Sequence, residues 1–97
     1  MSKKSIMPDD IRGRCFLCGK CGWTERHHVF GGPFRQKSEE YGITVYLCHT
    51  CHNECPNGVH QNKAMRLYLK RQAQQVTMDH YNWSIEEFRE RFGKSYL

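Results

Sequence analysis

Two residue types in this sequence have the numbers and spacing to do chemistry: cysteine and histidine, with six of each. Cys15-x-x-Cys18 and Cys48-x-x-Cys51 are two thiol pairs from distant parts of the chain. Each pair can take two adjacent vertices of a tetrahedral ion, so together they form a four-thiolate zinc set. Such a site has no open position and is structural rather than catalytic. Cys18-x-x-Cys21 has the same spacing and Cys55 is also available, so spacing alone allows other groupings. Cys15 and Cys18 are preferred because Phe16-Leu17 fill the turn between them and Gly19 lets the backbone reverse after it.

The histidines are not scattered. Five of the six lie between positions 27 and 60: His27, His28, His49, His52 and His60. Singly, each reads more readily as a surface or hydrogen-bonded residue. Together they suggest a second metal, because neutral imidazoles bind divalent transition ions and three of them leave a position open for water. His52 directly follows Cys51, so a zinc that fixes one also positions the other.

The elements that must carry these residues follow from local pattern. Met1 to Arg14 is polar and unpatterned, and residues 1–13 read as a mobile or loosely docked arm before a single domain spanning 14–97. Trp23–Phe30 suits a short strand stopped by Gly31-Gly32-Pro33. Phe34–Gly42 reads as an exposed loop or short helical turn bearing Arg35 and Lys37. Ile43–Leu47 is the best strand, β-branched and aromatic, and runs straight into the second thiol pair. Pro56-Asn57-Gly58 reads as a turn. From Val59 to Val76 the spacing is helical, with Met65, Tyr68, Leu69, Ala73 and Val76 on one face and Lys63, Arg66 and Lys70 on another. Leu67 falls on the polar side of that helix. Ser84-Ile85-Glu86-Glu87 predicts a capped last helix to about Phe92, ended by Gly93. The fold class is α+β, a hairpin packed against a helix. Trp23, Tyr46, Trp83 and Phe88 lie in no patterned platform and read as core.

The chain has 97 residues, enough for one domain, but only 38% are hydrophobic. Mean hydropathy is −0.81. That is thin for a self-sufficient core and calls for a staple, which the cysteines supply. The net charge of +5 suits a polyanionic partner, nucleic acid first among them. No apolar run follows Met1-Ser2-Lys3-Lys4 and no stretch has membrane-spanning length. The expectation is therefore an intracellular chain whose thiols stay reduced and bind metal rather than form disulfides.

With these pieces in view, CFLC, ERHHVFGG, ITVYLCHTCHN and NGVHQNKAM together resemble the HNH endonucleases over roughly Arg14 to Gln75, most closely the short HNH proteins of phages and prophages. The resemblance implies a ββα-metal (His-Me finger) fold stapled by a structural zinc on Cys15, Cys18, Cys48 and Cys51. It also implies one catalytic divalent ion (Mg²⁺, Mn²⁺, Ni²⁺ or Zn²⁺) on His27, His52 and His60, with His28 as general base. His60 stands in for a histidine usually one helical turn after the first. The family's middle asparagine is missing, since no asparagine lies between Trp23 and Cys51. A backbone carbonyl, Thr44, Asn53 or Asn62 would take its role. The implied activity is hydrolysis of DNA phosphodiesters, with Arg35, Lys37, Lys63, Arg66 and Lys70 holding the backbone. The implied setting is the cytoplasm of a bacterial host, with DNA and other phage proteins as partners. The alternative reading is a zinc-stabilised module that binds nucleic acid without cutting it, or a treble-clef-like adaptor for protein contacts.

Overall fold

Residues 4–54 and 58–97 are described by the computed structural model of the chain. The two stretches of strand character pair as expected. β1 (Glu25–His28) and β2 (Thr44–Leu47) form a two-stranded antiparallel sheet, with Glu25 opposite Leu47, Arg26 opposite Tyr46, His27 opposite Val45 and His28 opposite Thr44. Residues opposite one another share a face of the sheet. His27 and Glu25 thus join the fully buried Val45 and Leu47 on the inner face, and His28 and Arg26 share the other.

The segment between the strands is more ordered than its charge suggests. A 3-10 turn (Gly32–Phe34) leads into helix α1 (Arg35–Tyr41). Ser38 is the reason it docks: it is fully buried, its hydroxyl donates to the Phe30 carbonyl (2.8 Å) and accepts from the Phe30 amide (3.1 Å). Gly42 ends the helix with φ +75. Cys48 stands at the N-cap position, without a side-chain cap hydrogen bond, of a helix too short to show in the sequence pattern, α2 (His49–Asn53).

The long helix, α3 (Lys63–Tyr81), starts later and runs further than its apolar spacing indicates. The Asn62 side chain caps it by accepting from the Met65 amide, and Asn82 ends it in a left-handed conformation. Its buried face is Leu69, Ala73, Gln74 and Thr77. Tyr68, expected on that face, is 52% exposed, while Leu67 is half-buried. Gln74 is buried because it is satisfied, donating to the Ser95 hydroxyl (2.9 Å) and accepting from the Tyr96 amide (2.6 Å). The last helix, α4 (Ile85–Phe92), has the expected cap, Ser84 accepting from the Glu87 amide, and Gly93 at its end.

The apolar core sits between the sheet and the C-terminal helices. Phe30, Phe88 and Phe92 form its aromatic centre, with ring centroids 4.9–5.5 Å apart. Trp83 packs against it and Tyr46 is half-buried, but Trp23 is 78% exposed and is not core. No helix among the described residues is long and apolar enough to cross a membrane.

Residues 4–13 are not a loose arm. Met7 is buried, the Ile6 amide donates to the Gly42 carbonyl (2.9 Å), the Ser5 hydroxyl to the Thr44 carbonyl (2.6 Å), and the Tyr46 amide to the Asp10 carboxylate (2.8 Å). The outer edge of β2 offers unpaired backbone groups, and the polar N-terminal segment covers them. The turn residues Pro56 and Asn57, and Cys55, lie outside the described residues.

Gly42 is pinned twice: its φ is positive, and a Cβ there would lie 2.5 Å from the Lys4 carbonyl. Gly42→Ala is expected to cost upward of about 1 kcal/mol and to loosen the N-terminal segment. Urea denaturation with amide exchange at Ile6 measures both; an unchanged midpoint would refute the docking described.

Candidate metal centres

The first thiol pair sits in a tight hairpin. The Cys15 amide donates to the Lys20 carbonyl and the Gly22 amide to the Gly13 carbonyl, while Gly19 turns the chain with φ +79. The Phe16 amide donates to the Tyr46 carbonyl (2.8 Å), which fastens this hairpin to β2. The second pair comes directly after β2, Cys48 immediately preceding α2 and Cys51 lying within it. The four sulfurs of Cys15, Cys18, Cys48 and Cys51 lie within 4.8 Å of one another. Cys18 Sγ and Cys48 Sγ are 3.7 Å apart, close to the edge of about 3.8 Å that a tetrahedron of 2.3 Å zinc–sulfur bonds requires. The set fits a structural zinc. Cys21 is exposed and belongs to the bridge with Arg14, so among the described residues Cys18 groups with Cys15 and not with Cys21.

The thiol chemistry points the same way. Burial alone would raise Cys15, but the Cys18, Cys48 and Leu17 amides that donate to its sulfur outweigh it and bring the pKa down to about 6. Burial and the three neighbouring sulfurs push Cys51 up. One thiolate forms readily at Cys15, and the neighbouring sulfurs hold the proton on Cys51. A cation removes that conflict, because it stabilises all four thiolates together.

The three histidines expected to share an ion do converge. The ligand atoms of His27, His52 and His60 lie within 4.8 Å of one another, with His60 Nε2 3.0 Å from His52 Nε2. Three segments deliver them: β1 brings His27, α2 brings His52, and the chain returns His60 by pairing the Val59 amide with the Cys51 carbonyl (2.8 Å) and the His60 amide with the His52 carbonyl (3.4 Å). That return compensates for the eight positions between His52 and His60. Val59 is fully buried and anchors it.

Burial, then the His52 and His60 imidazoles, then His28 and Lys70, push the His27 pKa down to about 3. His60 is lowered by burial, by His52 and by Arg66. The lowered pKa values of His27 and His60 favour their neutral rings, and with the nitrogens of all three facing one another the set suits a divalent ion. Glu25, not foreseen as a site residue, backs His52: its Oε1 lies 2.8 Å from His52 Nδ1 and accepts from Asn53 Nδ2 at 2.8 Å. A carboxylate on Nδ1–H leaves the Nε2 lone pair toward His60, the usual support for a metal-binding histidine. The hydrogen bond to His52, then that to His49, lowers Glu25 from the ordinary carboxylate range.

His28 faces the other side of the sheet, yet both histidines reach one cleft of about 300 Å³, lined by Arg26, His27, His28, Arg35, His52 and His60, because β1 ends at His28. A neighbouring cleft of about 580 Å³ carries on past His28 to Arg35, Gln36 and Glu39. Of the expected basic contacts, Arg35 lines both clefts. Arg66 donates to the His60 carbonyl (3.3 Å), and Lys63, Arg66 and Lys70 line a shallow basic hollow with Lys94 and Tyr96. Lys37 is turned elsewhere: its ammonium donates to the Arg91 carbonyl (2.6 Å), because α1 docks that face on α4. Asn53 bonds Glu25, Asn62 caps α3, and the Thr44 hydroxyl accepts from Arg26 (3.4 Å).

No family model, curated protein or solved structure matches the chain.

Cys18→Ser or Cys51→Ser is expected to lower bound zinc from one ion per chain and to abolish cooperative unfolding, whereas Cys21→Ser leaves both intact. Metal analysis and thermal melts check this, and a Cys21→Ser chain without zinc would overturn the grouping. The folded His27 stays neutral to about pH 3, while the unfolded chain protonates it near 6.5. Between those values only the unfolded state gains the proton, so stability falls as pH is lowered. The drop in denaturation midpoint from about pH 7 to about pH 5 is expected to be larger for wild type than for His27→Gln.

Proposed function

We propose that the chain is a metal-dependent endonuclease of the HNH, ββα-metal kind that hydrolyses phosphodiester bonds in DNA. The observation that carries this reading is one cleft with two separate histidine roles available: three converging imidazoles, and a fourth, His28, beside them and outside their cluster. A structural zinc module alone needs the four thiols but has no use for that second set.

When bound by His27, His52 and His60, a divalent ion such as Mg²⁺, Mn²⁺, Ni²⁺ or Zn²⁺ supplies Lewis-acid polarisation of the phosphate and charge stabilisation for the departing oxygen. His28 takes a proton from water as the water oxygen bonds to phosphorus. The bond from phosphorus to the 3′ oxygen breaks, and that oxygen leaves protonated by solvent. The products are a 5′ phosphate and a 3′ hydroxyl. Arg35 at the cleft and Lys63, Arg66 and Lys70 beyond His60 hold the DNA backbone by charge, which gives salt-dependent affinity and little choice of sequence.

The test is nicking of supercoiled plasmid by the zinc-loaded chain with each of the four ions. Wild type is expected to nick, and His28→Ala to fall by about 100-fold or more while keeping zinc and DNA binding. A His28→Ala chain that cuts as fast as wild type removes His28 as the base. A wild type that binds DNA and cuts with none of the ions favours the non-catalytic module.

A further inference from the structure

The imidazole assigned as general base has a built partner that no sequence motif marks. Glu39 Oε2 lies 2.6 Å from His28 Nε2. The other carboxylate oxygen, Oε1, accepts from the Arg26 guanidinium at 2.7 Å. Arg26 also reaches the Thr44 hydroxyl, and Thr44 is the residue opposite His28 across the sheet. Arg26, Glu39, His28 and Thr44 thus close a ring of contacts on one face of the hairpin. The His28 side chain is 16% exposed and the Glu39 side chain 30%.

The delivery of Glu39 is no accident of a long side chain. Its neighbour Ser38 is locked to both backbone groups of Phe30, two residues after His28. The Ile43 amide donates to the Ser38 carbonyl at 2.8 Å, so the same turn of α1 is tied to the start of β2 as well. The start and end of the inter-strand segment therefore set where α1 lies, and Glu39 projects from it to the end of β1.

We propose that Glu39 is the positioning residue for His28; this rests on the nuclease reading above. An ionised carboxylate only accepts hydrogen bonds. It therefore keeps the ring proton on Nε2 and leaves the lone pair on Nδ1, the nitrogen that takes the proton from water. Arg26 holds the carboxylate in place, as the acid of a hydrolytic triad holds its histidine in one tautomer.

The experiment uses the full zinc-loaded chain with ¹⁵N-labelled histidine at one near-neutral pH, the His28 signals being assigned by their loss in His28→Ala. Wild type is expected to show His28 protonated on Nε2. Glu39→Ala is expected to show a mixture of tautomers, and kcat for nicking is expected to fall by about 10- to 100-fold with KM for DNA within about 2-fold. Glu39→Asp is expected to recover part of kcat. Glu39→Gln, close in shape, serves if the alanine variant loses zinc or cooperative melting, with the same expectation for the ring nitrogens. His28 ring shifts unchanged in Glu39→Ala or Glu39→Gln overturn the proposal, as does an effect confined to KM. The ring nitrogens are read without turnover, so they decide the role of Glu39 even if wild type nicks no DNA and the nuclease reading falls.

Discussion

Four sulfurs brought within 4.8 Å of one another tie this fold together. The chain between Cys18 and Cys48 contains β1, α1 and β2, so closing the thiol cluster closes the loop that holds the whole sheet. Loop closure of that length costs entropy, and a chain with this little apolar content recovers it poorly from core burial alone. A zinc on the four thiolates makes metal-binding energy into folding energy. The cluster also orients the adjoining helix: Cys48 begins α2, and α2 presents His52.

The histidine cleft depends on that frame in a definite order. With the first hairpin fastened to β2 and α2 started at Cys48, His27 and His52 meet across a short gap, and two backbone hydrogen bonds bring His60 to them. Two carboxylates then sort the imidazoles. Glu25 backs His52 on the inner face of β1, and Glu39 backs His28 on the outer one. Strand alternation is what keeps the two apart, and the end of β1 is what lets both sides open on one cleft.

A second anchor lies away from the metals. Phe30 leaves the end of β1 and packs against Phe88 and Phe92 of α4, while Ser38 grips the backbone of the same residue. The histidine cleft and the aromatic core thus share one short segment.

Much of this is legible in order along the chain. The recurring Cys-x-x-Cys spacing, the two strands and the Ser84 cap with Gly93 each follow from spacing or local backbone chemistry, and those act over a few residues; the set His27, His52 and His60 rests on the resemblance and not on spacing. Other features depend on what lies far away in sequence. Whether Cys18 pairs with Cys15 or Cys21, whether residues 4–13 dock, and whether Phe34–Gly42 is loop or helix are decided by partners 30 or more residues away or by a single buried serine. Trp23 and Lys37 escape a reading of the sequence for the same reason: exposure and ion contacts belong to the packed surface, not to the residue. Glu25 and Glu39 carry no pattern at all, because a carboxylate becomes an orienting group only when folding sets an imidazole beside it. The sequence by itself determined which side chains are able to bind metal; only the tertiary structure decided which carboxylate faces which ring, since that depends on the sheet register and on where α1 docks.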